Sequence, residues 1–203
     1  MAAEYPTLPG RLLKGFERYL SPRAQMYREN GQWLPISSQE MLRRIAALSE
    51  GLARLRVAQG DRVAIFAPNS PEWHVADFAA LGLGAVVVPI YFRESAERMA
   101  YILAHSEAKV IFVAGEEQAR RWSEIAQNCR SVQKVIYARG AAAGKAARRG
   151  STVRVAPPAS RVAQAVDARA AVGVVEVVAE DAGVAADGVR AAGPRMRING
   201  RTR

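Results

Sequence analysis

The stretch from Gly60 to Val113, GDRVAIFAPNSPEWHVADFAALGLGAVVVPIYFRESAERMAYILAHSEAKVIFV, decides the fold. Short apolar runs alternate in it with segments whose apolar residues recur every three or four positions. The first pattern is typical of buried strands and the second of amphipathic helices. Up to Tyr137 the predicted order is strand, helix, strand, helix, strand, helix, strand. Helical crossovers of this length connect parallel neighbours, so the sequence predicts an α/β fold with a doubly wound, mostly parallel sheet and flanking helices.

The first predicted strand and helix of this stretch are separated by a clear boundary signal. Residues 62–67, RVAIFA, have the pattern of a short buried strand that ends at Pro68. Ser70 is a good N-cap, and the proline that follows it is tolerated at the first helical position. We expect Trp73, Phe78 and Leu81 to line the buried side of this helix.

The next elements follow the same alternation. The continuous apolar run at 85–90 is typical of a parallel strand covered on both faces. Ser95 is a predicted cap for a helix carrying Met99, Ile102, Leu103 and Ser106. The remaining predicted elements are a strand at Lys109–Val113, a helix at Glu116–Cys129 and a strand at Val132–Tyr137.

Upstream of Gly60 the sequence predicts three further elements. Residues 8–20 have the apolar spacing of a short amphipathic helix. Asn30-Gly31 is a strong signal for a two-residue hairpin turn, because both central residues of a type I′ turn need positive φ. Ser37 and Glu40 have the spacing of a capping box, in which Glu40 reaches back to the cap. The helix after it carries one apolar stripe, formed by Met41, Ile45, Leu48, Leu52 and Leu55.

The charge of the chain is concentrated at one end. The formal net charge is +10, but residues 138–203 contribute +7 of it, so the part predicted to be ordered is close to neutral. No nucleic-acid-binding motif or basic helix face accompanies the charge, and we expect no specific nucleic-acid partner.

The single cysteine, Cys129, excludes an intrachain disulfide and is typical of a reducing compartment. Its place late in a helical pattern predicts a small buried hydrophobe rather than a nucleophile. The N-terminus lacks the pattern of a secretory signal, and the longest mostly apolar run, 79–92, is too short to span a bilayer. We therefore expect a cytoplasmic protein without a transmembrane segment. Peripheral contact with a membrane and the oligomeric state stay open.

Ligands of doubly wound sheets bind at the carboxyl ends of the strands, so the loops at 67–71 and 89–95 are the places to look for chemistry. Turn formation and helix capping account for most of their polar residues, which are Asn69, Glu72, Tyr91, Arg93 and Glu94. Gly82-x-Gly84 lies between a helix and a strand and lacks the third glycine of a dinucleotide fingerprint.

Gly144-Lys145 is not a phosphate-binding loop, because Ala146 stands where a Ser or Thr would bind magnesium. His74 and His105 lie on separate predicted helices without partners at metal spacing, and surface positions suit them better. We expect no catalytic, cofactor-binding or metal-ligating residue in this chain.

Several segments between Thr7 and Trp122 closely resemble the start of AMP-forming acyl-CoA synthetases, and long-chain fatty-acid ligases resemble them most. The resemblance covers about 130 residues and is carried by TLPGRLLKGFERY, NGQWLPIS, GDRVAIFAPNSPEW, DFAALGLGAVVVPIY and SAERMAYILAHSEAKVIFV. It implies a family that uses ATP and magnesium to convert a fatty acid to an acyl-adenylate and then transfers the acyl group to coenzyme A.

The family's chemistry needs elements that have no counterpart in this sequence. They are a Gly/Ser/Thr-rich loop with a following lysine, residues that bind adenine, ribose and magnesium, and a lysine from a mobile C-terminal domain. The matched part implies scaffold and one wall of the acyl pocket. Phe92-Arg93-Glu94 departs from the small hydroxyl and proline residues expected after Tyr91. The resemblance therefore predicts a truncated N-terminal part that is inactive alone and binds no cofactor by itself.

Residues 138–203 differ in composition from the part that precedes them. Of these 66 residues, 49 are Ala, Val, Arg or Gly, and none is Leu, Phe, Tyr, Trp, His or Cys. A folded domain without leucine departs strongly from ordinary composition. All four dominant residues have codons that begin with GC, GT, CG or GG, which suggests out-of-frame translation of a GC-rich gene. The alternative is a natural, basic, disordered extension. Either way, we expect one partial synthetase domain at 1–137 and a tail at 138–203.

Two other hypotheses of function stay open. The α/β module could serve as a non-catalytic binding or regulatory fragment that uses an exposed sheet edge. A complete small enzyme with an unrecognised site ranks last, because no constellation of residues supports it.

Overall fold

A computed structural model describes residues 7–138 of the 203-residue chain and the backbone of residues 178–181. Most of the predicted tail therefore lies outside the described residues. The elements in chain order are α1 Leu8–Tyr19, β1 Gln25–Glu29, β2 Gln32–Ile36, α2 Ser38–Arg54, β3 Arg62–Phe66, α3 Pro71–Gly82, β4 Val86–Ile90, α4 Ala96–Ser106, β5 Val110–Val113, α5 Glu116–Ile125, a 3-10 turn Ala126–Asn128, β6 Lys134–Tyr137 and β7 Val178–Asp181.

The main sheet has five strands in the order β4-β3-β5-β6-β7. Strands β3 to β6 are parallel to one another, and β7 pairs antiparallel with β6. Strands that follow each other in the chain are connected through a helix: α3 joins β3 to β4, α4 joins β4 to β5, and α5 leads from β5 towards β6. The predicted doubly wound, mostly parallel α/β sheet is confirmed.

Serine caps define the starts of three helices. The Oγ atoms of Ser37, Ser70 and Ser95 each accept a hydrogen bond from the backbone N–H three residues later, at 3.2, 3.3 and 3.2 Å. These bonds satisfy N–H groups that have no partner within the helix, and the three predicted caps are confirmed.

The second half of the predicted capping box is wrong. The Glu40 carboxylate accepts hydrogen bonds from Arg43 and Arg44, both at 2.7 Å, instead of reaching back to Ser37. Partial burial acts to raise the pKa of Glu40, but the two guanidinium groups lower it overall. The competing arginines one turn later therefore determine where this side chain points.

The hairpin predicted at Asn30-Gly31 is confirmed. Strands β1 and β2 pair antiparallel, with Glu29 opposite Gln32 across the turn. Both turn residues have positive φ, 49° and 81°. That geometry matches the right-handed twist of the two strands.

The core has two parts, one on each face of the sheet. Alternate residues of β3 contribute to different parts: Val63 and Ile65 pack with α2 and α3, whereas Ala64 and Phe66 pack with α4 and α5. The predicted stripe of α2 lies in the first part. Four of its five residues are buried, and the fifth, Leu55, is partly buried. Cys129 is buried in the second part, as predicted.

The prediction for the buried face of α3 is confirmed in part, because Trp73 and Phe78 pack against the core without being fully buried. The buried residues of α3 are mostly small and include Val75, Ala76, Ala79 and Ala80, whereas Trp73, Phe78 and Leu81 are only half-buried. Helix α2 lies so close that Ser49 Oγ donates to the carbonyl of Ala79 at 3.1 Å. Such an approach leaves room only for small side chains at the centre of the contact, so the large ones pack at its margins.

Strand β4 is not covered on both faces as predicted, and it is an edge strand of the described sheet. Val86 is 51% exposed and Pro89 is exposed as well. A proline lacks the N–H that a neighbouring strand would need, which suits an edge. The order of strands depends on long-range packing, so the apolar run alone could not reveal this position.

Two helix ends differ from the prediction. Helix α5 ends at Ile125 and continues as a 3-10 turn, so it stops short of Cys129. Helix α1 ends at Tyr19, and Leu20, the last residue of the predicted helix, is 57% exposed. Within residues 7–138 no helix combines the length and apolar character that crossing a bilayer would need.

Candidate functional site

Strands β3 to β6 end at one edge of the sheet, which we call the carboxyl edge. The segments that follow the four strands form it: the loops 67–71 and 91–95, Ala114-Gly115 and Ala138. Doubly wound folds bind their ligands at this edge. Backbone hydrogen bonds extend the pairing past the strand ends, since Ala114 N donates to Phe66 O and Ala138 N donates to Val113 O. The described part of the edge is therefore a continuous, ordered surface.

The loop after β4 carries three of the polar residues singled out in the sequence, Tyr91, Arg93 and Glu94. Glu94 N donates to Tyr91 O at 2.8 Å, which closes a turn. The guanidinium of Arg93 lies 5.2 Å from the centre of the Phe92 ring, within cation–π distance. Tyr91 and Arg93 are exposed, whereas the Glu94 carboxylate accepts from Ser95 N and is half-buried. Turn and capping contacts account for Glu94 as expected.

Two side chains of α5 hold this loop, and we call them the α5 brace: Gln118 and Arg121. Gln118 is buried, and its Nε2 donates to Phe92 O at 3.2 Å. Arg121 Nη1 donates to Glu94 O at 2.8 Å. The backbone of the loop is thus fixed at two carbonyls by a neighbouring helix.

Gly115 makes room for the brace at the start of α5. Its φ is +101°, and a Cβ atom at this position would overlap Gln118 Oε1. Any other residue here would strain the backbone and displace the Gln118 side chain. Sequence reasoning missed Gln118 and Arg121, because their partners are backbone carbonyls of a distant loop. The one local signal was a glycine directly before a helix that begins with two glutamates.

At the described carboxyl edge, the charged side chains at the start of α5 are a poor match for a magnesium–nucleoside triphosphate. Triphosphates are bound by backbone N–H groups of a glycine-rich loop and by free cations. Here the Arg121 guanidinium is engaged with Glu94 O and with the Glu117 carboxylate at 3.1 Å. Glu116 and Glu117 also place negative charge in the first turn of α5. Within the part of the chain that the structure describes, no group of three or more His, Cys, Asp or Glu could hold a metal ion.

The other residues singled out in the sequence lie just before α3, on α3 or on α4. Ser70 is occupied as a cap by Trp73 N, and Asn69 beside it is exposed. His74 Nδ1 lies 2.8 Å from Gln25 Nε2, and His105 stacks on Tyr101 with ring centres 5.6 Å apart. Both histidines are exposed, which confirms the prediction of surface positions.

Three further features of the sequence have structural outcomes. Gly82 ends α3, and Gly84 has a φ of +73° in the turn before β4, so neither belongs to a phosphate-binding loop. Burial raises the pKa of the Cys129 thiol, which keeps it protonated and unreactive. Gly144-Lys145 lies outside the described residues.

Comparison with known proteins gives a consistent set of similarities. The family model described as "AMP-binding enzyme" matches residues 19–180. The long-chain-fatty-acid–CoA ligase FadD15 of Mycobacterium bovis is 37% identical over 111 residues, which are 55% of this chain and 18% of the relative. Feruloyl-CoA synthase of an Amycolatopsis species is 39% identical over 92 residues, 45% of this chain and 18% of that enzyme.

A solved structure gives the same relationship in three dimensions. The N-terminal domain of FACL13 from Mycobacterium tuberculosis, in an inhibitor-bound crystal structure, has a TM-score of 0.57 and 31% identity. The match covers 66% of this chain and 34% of that domain. The chain thus spans about a fifth of the length of the curated relatives it matches, and about a third of a related N-terminal domain.

Proposed function

This chain belongs to the AMP-binding enzyme family, and we propose that it serves the ATP-dependent activation of a long-chain fatty acid to its coenzyme A thioester. The observation that carries the proposal is the 37% identity to a long-chain-fatty-acid–CoA ligase within a family match over residues 19–180. The feruloyl-CoA synthase relative acts on a different class of acid, so the acyl chain itself needs a direct test.

We propose that residues 7–138 supply scaffold and one wall of the acyl pocket rather than the nucleotide site. The buried sheet gives this part a rigid core, and the α5 brace fixes the loop that carries Phe92 at the carboxyl edge. When bound, ATP with magnesium would activate the carboxylate as an acyl-adenylate, and coenzyme A would accept the acyl group. The engaged arginine and the acidic start of α5 make a poor site for a triphosphate, so no step of that reaction is assigned to these residues.

A graft tests the family role. Residues 19–138 of this chain would replace the matching segment of the Mycobacterium bovis ligase FadD15, and AMP release would be followed with ATP, magnesium, coenzyme A and a series of fatty acids. We expect a folded graft to turn over long-chain acids. A graft that folds and binds ATP but releases no AMP with any acid of the series would overturn the proposed role.

The chain by itself is expected to be inactive, because the residues described here offer no phosphate site. The purified 203-residue protein would be titrated with ATP by calorimetry and assayed for AMP release under the same conditions. We expect neither saturable ATP binding nor turnover. Saturable binding would show that a phosphate site exists outside the part described here, and turnover would refute the assignment of a scaffold role.

A second candidate is a non-catalytic interaction fragment that uses the edge strand β4. Its exposed Val86 and the free backbone groups of an edge strand favour pairing with another chain. Light scattering across a concentration series tests the interaction role. A concentration-dependent dimer that Val86→Lys abolishes would favour it, and a monomer at all concentrations would exclude self-pairing. We also propose a cytoplasmic location, in keeping with the lone buried thiol of Cys129, which fractionation of cells would test.

A further inference from the structure

We propose that the outward face of the β1–β2 hairpin, formed by Met26, Arg28, Trp33 and Pro35, docks on an anionic phospholipid surface. The strand register places Met26 opposite Pro35 and Arg28 opposite Trp33, so all four side chains project from the same face. All four are exposed, with Met26 at 40% and Trp33 at 64%. Three apolar side chains and one cation thus form a continuous surface that nothing in the described part of the chain covers.

The hairpin is held so that this face stays outward. On the opposite face Ile36 is buried in the core, and Tyr27 packs against the same cluster. Two contacts fix the ends of the strands: Ser38 N donates to Ser21 O at 2.8 Å, and Gln25 Nε2 lies 2.8 Å from His74 Nδ1. The outward face therefore cannot turn inward without breaking the core.

The chemistry of the face matches the interface of a bilayer. Tryptophan has an apolar body and a polar N–H, and it is enriched at the headgroup level of membranes. The guanidinium of Arg28 is held beside the turn by its Nε, which donates to Gly31 O at 3.4 Å. Guanidinium groups bind phosphate oxygens in a bidentate way. Glu29 is the hairpin's one acidic residue, and the alternation of the strand places it on the other face.

The residues just before the hairpin have the same character. Tyr19 is 74% exposed and Leu20 is 57% exposed. The guanidinium of Arg18 lies 5.7 Å from the centre of the Tyr19 ring. From Arg18 to Ile36 the chain has three arginines and one glutamate. An anionic headgroup layer complements this excess of positive charge.

A second copy of the chain would be a poorer occupant of this face. A symmetric dimer through the same surface would bring the one cation of each face, Arg28, towards its copy. The proposal therefore commits to lipid. Docking of this kind needs no catalysis. Its failure would therefore leave the proposed ligase role intact, and failure of the ligase role would leave lipid docking intact.

Tryptophan fluorescence provides a specific test. Trp33 is 64% exposed, whereas Trp122 is buried and Trp73 is half-buried against the core, so contact of the hairpin face with lipid should quench Trp33 most. The full chain would be mixed with phosphatidylcholine vesicles, with and without about one quarter phosphatidylglycerol, whose acyl chains carry bromine as quencher. We expect quenching with the anionic vesicles and little with the neutral ones. Anionic vesicles that bind the protein without quenching would show attachment through the basic residues 138–203 instead and would overturn the proposal.

Matched variants separate the face from general charge. Arg28→Gln is expected to weaken vesicle binding about fivefold, the change that corresponds to ~1 kcal/mol per basic residue at an anionic surface. Trp33→Ala is expected to weaken it about tenfold through lost apolar burial. The controls are Arg130→Gln, exposed in the turn before β6, and Tyr101→Ala, exposed on α4; both should bind as the parent does. Equal losses of vesicle binding in the controls would contradict lipid docking. So would a dimer that forms without lipid and that Trp33→Ala dissociates.

Discussion

Replacing Gly115 by alanine tests whether the carboxyl edge depends on the α5 brace. The backbone at this position has a φ of +101°, and an added Cβ would overlap Gln118 Oε1. The strained backbone costs about 1–3 kcal/mol. Displacing Gln118 also removes its hydrogen bond to Phe92 O, which adds about 1–3 kcal/mol because a part-buried carbonyl loses its partner. We therefore expect Gly115→Ala to lower the free energy of unfolding by about 2–6 kcal/mol.

Gly60 provides the matched control. Its φ is +83°, and nothing lies within 4 Å of the place where a Cβ would be. Gly60→Ala should therefore show the cost of a positive φ without a steric overlap. Urea unfolding measures the difference between the two variants, and hydrogen exchange of residues 91–95 reports on the loop. Because Gln118→Ala removes the overlapping atom, its combination with Gly115→Ala should cost less than the sum of the single changes. Equal costs for the two glycine variants, with unchanged exchange in the loop, would refute the role of the brace.

Three further predictions concern stability and sequence. The hydrogen bonds from Lys109 and from Ala58 N lower the pKa of Asp61. The stability that this carboxylate contributes is therefore present above its unfolded pKa of about 3.9 and is lost as the pH falls below that value. The urea midpoint of the parent should accordingly approach that of Asp61→Asn on acidification, and a difference independent of pH would contradict this. Urea unfolding should show that Trp122→Ala lowers the free energy of unfolding by about 3–5 kcal/mol and Cys129→Ala by about 1 kcal/mol, since both side chains are buried but differ in size. Equal losses would contradict this dependence on buried volume. Nucleotide sequencing past the codon of Ala138 should reveal, in another frame, a Gly/Ser/Thr-rich loop with a following lysine, whereas its absence from both alternative frames would favour a natural extension.

Local signals in the sequence predicted the local structure well. Serine at Ser37, Ser70 and Ser95 begins helices because its side chain satisfies an N–H group within three residues. Asn30-Gly31 forms the hairpin because both residues adopt positive φ. Each of these interactions joins residues that are close in the chain, so a local pattern contains the information.

Features that depend on long-range packing were missed or wrong. Strand β4 has the composition of a central strand, yet it lies at an edge because strand order is a property of the whole sheet. Trp73 was predicted on the buried side of α3, but it is only half-buried, because the close contact with α2 leaves room for small residues at its centre. Gln118 and Arg121 bind backbone carbonyls more than 25 residues away, and a carbonyl has no side-chain type that a sequence pattern could display.

AMP release by the graft of residues 19–138 into the Mycobacterium bovis ligase tests the proposed role most directly. If this part of the chain is the scaffold of a fatty-acid-activating domain, the graft should release AMP when a long-chain acid, ATP, magnesium and coenzyme A are all present. The isolated 203-residue chain should release none under the same conditions. A folded, ATP-binding graft without AMP release, or turnover by the isolated chain, would contradict the proposed role.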